Sequence, residues 1–233
     1  YAWQESSGDT KGYALAYQPV ASNMNTSNFL GIADEAISAS ASGVIVVQGG
    51  TKTGLSLPES FLSGTPVVFE EASSSDIYAT FDSNEDKVVI AYRDSGNSSY
   101  GTAIVGTVSG NSISFGTAVV FETATTSNIS ATFDSNEDKV VISYRDDGNS
   151  NYGTAIVGTV SGTSISFGTA VVFESANSMY TSATFDSNED KVVIAYRDQG
   201  NSSYGTAIVG TVSGTSISFG TAVVFEATNV TYL

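Results

Sequence analysis

Cysteine and histidine are absent from this chain, and proline and methionine are nearly so, at 3 and 2 residues. Without cysteine it has no disulfides, no thiolate metal sites and no thiol nucleophile, so stability has to come from packing and strand pairing. Without histidine the commonest general base is missing too. Positive charge is scarce: 8 Lys and Arg face 24 Asp and Glu, a formal charge of -16. A phosphate-binding surface needs clustered Lys and Arg, so nucleic acid is not an expected partner, and an anionic membrane surface would repel the chain. No apolar run approaches the roughly 20 residues of a membrane span, and the start carries no charged-then-apolar leader, so membrane insertion is not expected. The sequence opens on Tyr1, Ala2 and Trp3 without an initiator methionine, which reads as a processed or partial chain.

What is present favours strands and turns. Gly, Ser, Thr, Val, Tyr and Phe dominate, and a hydrophobic content of 41% is enough to bury a core. The text FDSNEDKVVI begins at Phe81, again at Phe133 and again at Phe185, a period of 52 residues. Three full units follow from it, residues 65–116, 117–168 and 169–220, with a partial copy over 221–233 and a different segment, a β module or partial unit, over 1–64.

In the second unit the expected strands are Ile129 to Phe133, Lys139 to Arg145, Tyr152 to Val160 and Ser164 to Phe173, with polar turns at 134–138 and 146–151. Ser161-Gly162-Thr163 reads as a tight hairpin. Val140, Val141 and Ile142, and again Ala155, Ile156 and Val157, are continuous apolar runs rather than alternating ones, which predicts sheets buried on both faces. The expected fold is therefore all-β, a propeller-like tandem repeat with four antiparallel strands per 52-residue unit and essentially no helix. A β-solenoid is the rival arrangement, and an immunoglobulin-like sandwich needs about 100 residues per unit. The recurrent rings Phe69, Phe81, Tyr92, Tyr100 and Phe115 read as packing between units, with sugar stacking as the other use of the tyrosines. In residues 1–64, a hairpin is expected from Trp3 to Val20, and further β structure from Asn28 to Ser38 and from Val44.

The repeat text KVVIAYRDSGNSSYGTAIVGTVSG from Lys87, with SISFGTAVVFE from Ser112, is similar to long tandem arrays in proteins of marine phages and marine bacteria. Residues 28–56, NFLGIADEAISASASGVIVVQGGTKTGLS, resemble a short β module that adjoins such arrays in phage tail-fibre-like proteins. The resemblance implies an extracellular or virion location and a structural, adhesive role as part of a tail fibre or filament. The partners it implies are other copies of the chain, other virion or filament proteins, and a host-surface glycan. It carries no catalytic residues. A secreted bacterial adhesin or lectin-like glycan-binding propeller is the alternative, and a glycan-processing enzyme the least favoured reading.

Three constellations carry chemistry on paper. Asp82-Ser83-Asn84-Glu85-Asp86 spaces its oxygens like the start of a calcium loop, but Lys87 stands where that loop needs glycine and no bidentate Glu follows, so a polar turn is expected and no metal site. Arg93, Arg145 and Arg197 suggest a sialidase-like carboxylate cluster. They occupy equivalent rather than distinct positions, however, and are expected to pair locally with Asp94, Asp146 or Asp198, or with a neighbouring unit. Near-identical units give every carboxylate the same surroundings, whereas acid–base catalysis needs two different ones, so no enzyme, catalytic residue or cofactor is expected. The sequons at Asn25, Asn97, Asn128, Asn201 and Asn229 carry no argument in a chain so rich in Ser, Thr and Asn.

The units differ chiefly over 71–78, 123–130 and 175–182, reading EASSSDIY, TATTSNIS and SANSMYTS. A constant scaffold with one varying connection points to a contact surface or to drift. The expected ligand residues are Asp76, Ile77, Tyr78, Asn128, Ile129, Ser130, Met179, Tyr180, Thr181 and Tyr232.

Overall fold

The computed structural model describes residues 64–231, together with the backbone of three short strands at 32–33, 43–47 and 50–55. Two compact bodies divide the chain, Tyr1–Thr65 and Pro66–Leu233. In the first, β1 (Ile32–Ala33), β2 (Gly43–Val47) and β3 (Gly50–Leu55) form an antiparallel sheet in that order. The hairpin expected from Trp3 to Val20 lies outside the described residues.

The second body is all-β. Its first unit supplies β4 (Ser74–Asp82), β5 (Lys87–Asp94), β6 (Tyr100–Ser109) and β7 (Ser112–Phe115). The next supplies β8 (Val119–Asp134), β9 (Lys139–Asp146), β10 (Tyr152–Ser161) and β11 (Ser164–Phe167). The third supplies β12 (Val171–Asp186), β13 (Lys191–Asp198), β14 (Tyr204–Ser213) and β15 (Ser216–Phe219), and β16 (Val223–Glu226) closes the series. Ten of these thirteen strands form one antiparallel path that starts at β4, ends at β15 and does not close, while β7, β11 and β16 pair beside it with β6, β10 and β14. Among the described residues the only helix is a 3-10 turn at Gln199–Asn201.

The expected fourth strand, Ser164 to Phe173, is two pieces. β11 ends at Phe167 and β12 begins at Val171, and both lie against β10, on Gly158–Ser161 and on Tyr152–Ala155. Ile129 to Phe133 is not a short strand of its own but the end of β8, whose first half pairs with β6 and whose second half pairs with β9. Each long strand therefore belongs to two successive sheets. The tight hairpin forms as expected: Ser161 and Ser164 pair across Gly162-Thr163, and Gly162 has φ 62°, which suits glycine in a type II′ turn.

The core lies between sheets. Val89, Ala91, Ala103 and Val105 of the first unit pack with Val140, Ile142, Tyr144 and Ile156 of the second. Val141, Ala155 and Val157, on the opposite face of the second unit, pack with Val192, Ile194, Tyr196 and Ile208 of the third. Successive residues of a strand point to opposite faces, so the continuous apolar runs fill both interfaces of the middle unit. The third unit has a neighbour on one side among the described repeats, and β13 accordingly alternates between buried and half-buried residues. Rings cross each interface: Phe121 lies 5.3 Å from Tyr144 and 5.7 Å from Phe167, and Phe173 repeats the arrangement at 5.2 Å from Tyr196 and 5.6 Å from Phe219.

Candidate functional site

The varying segments are not loops. From Ser74 on, the first lies within β4, and the other two lie within β8 and β12; the pairing slips between Ser75 and Tyr78, Ser127 and Ser130, and Met179 and Ser182. The residues in those slips, Asp76, Asn128 and Tyr180, have left-handed backbones with φ 48°, 51° and 53°. Asp and Asn tolerate that region because a short polar side chain bonds locally, whereas Tyr180 adopts it at an expected cost of about 1–2 kcal/mol.

Here the side chains bond from unit to unit. The Asn128 N–H donates to Asp76 Oδ1 at 2.8 Å, and the Tyr180 N–H donates to Asn128 Oδ1 at 2.7 Å. The Thr181 hydroxyl donates to the Asn128 carbonyl, and the Ala183 N–H donates to Ser130 Oγ at 3.0 Å. The left-handed turns at Asp76 and Asn128 thus each aim a side chain at the backbone of the next unit, and the three positions form a column across the stack.

Burial separates the ten expected ligand residues. Ile129, Ser130 and Thr181 are buried. Ile129 belongs to the core shared with the first unit, and Ser130 serves the third. Asn128, Met179 and Tyr180 are half-buried, and Asp76, Ile77 and Tyr78 are exposed. Tyr232 lies outside the described residues. The surface that remains open to another molecule is therefore Asp76-Ile77-Tyr78, with the accessible parts of Met179 and Tyr180.

The arginines do not make the expected bonds to Asp94, Asp146 and Asp198. Arg145 Nε pairs with Asp147 Oδ1 at 2.6 Å, Arg93 donates to Ser99 Oγ at 3.1 Å, and Arg197 donates to Asn229 Oδ1 at 3.1 Å. The physical reason is that the carboxylates that follow them are buried and already occupied. Asp94 Oδ1 accepts from the Asn97 N–H, Asp146 Oδ1 from the Gly148 and Asn149 N–H groups, and Asp198 Oδ1 from the Asn201 N–H. Held in three local contacts, the guanidinium groups form no common carboxylate clamp.

The acidic turns are equally self-contained. Asp82 Oδ1 accepts from the Asn84 and Glu85 N–H groups, both at 3.0 Å, and Asp134 does the same for Asn136 and Glu137. Lys87 Nζ donates to the Glu85 carbonyl at 3.0 Å, so the lysine at the end of the turn closes back on its backbone. Among the described residues no group of three or more Asp, Glu, His or Cys converges on a point.

One polar pairing was missed in the sequence. Tyr92, Tyr144 and Tyr196 are fully buried, and their hydroxyls donate to Glu70, Glu122 and Glu174 at 3.2, 3.1 and 3.0 Å. Burial, and next the nearby glutamate, push all three tyrosine pKa values up. The signal was a constant Glu 22 residues before a constant Tyr in every unit. Glu122 lies on the half of β8 that pairs with β6, and Tyr144 lies in β9, so the bond ties consecutive sheets. Set against family models, curated proteins and solved structures, the chain matches none of them.

Proposed function

We propose that the chain is a structural and adhesive component of a phage tail fibre or similar extracellular filament, with propeller-like units as its building block. The observation that carries this reading is the middle unit, which buries both sheet faces against neighbours of nearly the same sequence. Units that contact only their neighbours add length without limit, and such quasi-one-dimensional stacks give reach and repeated presentation. The constant residues supply the packing, and the varying Asp76-Ile77-Tyr78 supplies exposed apolar and aromatic surface for a host or glycan contact.

A secreted lectin-like adhesin is the second reading, favoured by the exposed Tyr78 ring, which is suited to stacking on a sugar. The test is Ile77→Ser with Tyr78→Ser in one chain, with Asp76 kept because it accepts the Asn128 N–H, assayed for attachment to host cells and to glycan arrays. Loss of attachment with an unchanged melting temperature is expected. Unchanged attachment refutes the contact assignment. Electron microscopy of native particles separates a fibre component from a free soluble lectin.

A further inference from the structure

The second unit holds a carboxylate that the first unit lacks. Arg145 Nε donates to Asp147 Oδ1 at 2.6 Å, and Ser127 Oγ donates to the same oxygen at 3.1 Å. One repeat earlier Arg93 and Ser75 stand where Arg145 and Ser127 stand, but Ser95 replaces Asp147. The two turns carry the same backbone bond: the Ser95 N–H donates to the Ser73 carbonyl and the Asp147 N–H to the Thr125 carbonyl, both at 3.0 Å. The first unit therefore keeps both donors and has lost their acceptor.

The loss leaves a mark. Arg93 Nε is buried and has no hydrogen-bond partner among the described residues, while Arg93 Nη2 is held by Ser99 Oγ at 3.1 Å. An unmade bond at a buried charged donor is costly. Ser75 Oγ makes a long bond of 3.3 Å to Asp76 Oδ2, and Asp76 Oδ1 is committed to the Asn128 N–H. Ser75 and Ser95 are exposed and Arg93 is half-buried, so the place that Asp147 fills in the second unit opens to solvent in the first. Arg197 Nε also lacks a partner, but Met179 replaces the serine there and its Sδ is bonded by Gln199 at 2.9 Å, so that unit has one donor fewer. The first unit adds a ring: Tyr78 pairs with Ala91 and Ser75 with Arg93, and Ala91 and Arg93 lie on one face of β5.

We infer that the first unit binds the carboxylate of an acidic sugar, a uronic-acid residue of a glycan, at Arg93 Nε and Ser75 Oγ, with the sugar ring against Tyr78. Asp147 is the built-in counterpart of the bound group, since its carboxylate takes one bond from a guanidinium and one from a hydroxyl. Such charge-assisted bonds are about twice as strong as neutral ones. The exposed Tyr78 ring supplies an apolar face for the C–H groups of a sugar. An acidic peptide side chain would satisfy Arg93 but bring no sugar ring to Tyr78, so the sugar is the favoured source. The net charge of -16 repels anions at long range, and selection therefore rests on these short contacts. The inference rests on the reading of Tyr78 as a contact surface and names the ligand class for it.

The arginine Nε–H resonances of the full chain, followed by NMR during titration with sodium glucuronate, read the site directly. Glucose, sodium acetate and triglutamate at equal ionic strength are the comparison probes. The expected result is a saturable shift of the Arg93 resonance with glucuronate, none with glucose, and affinities for acetate and triglutamate about tenfold weaker or more. Ser95→Asp should lower the glucuronate affinity about tenfold or more, with an unchanged melting temperature, because it restores the internal pair of the second unit. Asp147→Ser should make the Arg145 resonance respond to acetate, and Tyr78→Ala should bring glucuronate down to the affinity of acetate. An Arg93 resonance that glucuronate leaves unmoved, a Ser95→Asp variant that binds like the wild type, or equal affinities for triglutamate and glucuronate would each overturn the inference. Attachment to host cells that is lost with Ile77→Ser and Tyr78→Ser but kept with Ser95→Asp would overturn it while leaving the proposed function standing.

Discussion

Gly168→Ala tests whether the units are held by close backbone approach. The added Cβ would lie 1.9 Å from the Thr215 carbonyl oxygen and 2.9 Å from its carbon. Ordinary contact needs about 3.4 Å or more, so the two backbones must part by roughly 1.5 Å. The obstacle cannot rotate away, because Thr215 sits in a hairpin closed by the Ser213–Ser216 pair. Overpacking costs about 1–3 kcal/mol, and parting the sheets also forfeits dispersion between Val157 and the residues opposite it, so the upper end, about 3 kcal/mol, is expected. For a chain of this size that lowers the melting temperature by about 6–12 °C. Gly220→Ala is the control, since its Cβ has 3.7 Å of room, and it should change stability by no more than about 0.5 kcal/mol. Thermal unfolding followed by circular dichroism decides the matter. Equal melting temperatures for the two variants would refute the reasoning.

Tyr144→Phe should destabilise by about 1–2 kcal/mol, measured by urea unfolding, because it leaves the Glu122 carboxylate without its donor across the interface. The raised pKa values of Tyr92, Tyr144 and Tyr196 give a sign for alkaline pH. A folded pKa above the unfolded value of about 10 contributes stability that is present below pH 10 and lost as pH rises beyond it, so these rings should ionise only as the chain unfolds. An ultraviolet titration showing them ionise before the loss of circular dichroism would contradict that. Asn128→Ala should cost about 2 kcal/mol, for the left-handed backbone and the lost bond to the Tyr180 N–H, and Asn128→Gly about half as much, since glycine keeps the backbone at ease.

The sequence by itself determined the repeat, the strands and the two-sided burial. Continuous runs such as Val140-Val141-Ile142 have no polar face to offer water, and Ser161-Gly162-Thr163 has little choice but to turn. It also located the variation, at 71–78 and its copies. Only the tertiary structure decided what that variation touches. Periodicity along a strand assigns a residue to a face, but whether that face meets solvent or another sheet depends on what stacks there. Ile77 is exposed and Ile129 buried, although they hold the same place in consecutive units. The same limit hid the tyrosine–glutamate bonds and the partners of the arginines, because each joins groups brought together by the stacking of sheets or by the folding of a turn. A left-handed backbone at Asp76, Asn128 and Tyr180 follows from the slip in pairing between neighbouring strands. Register is a property of the sheet, and no single strand's sequence carries it.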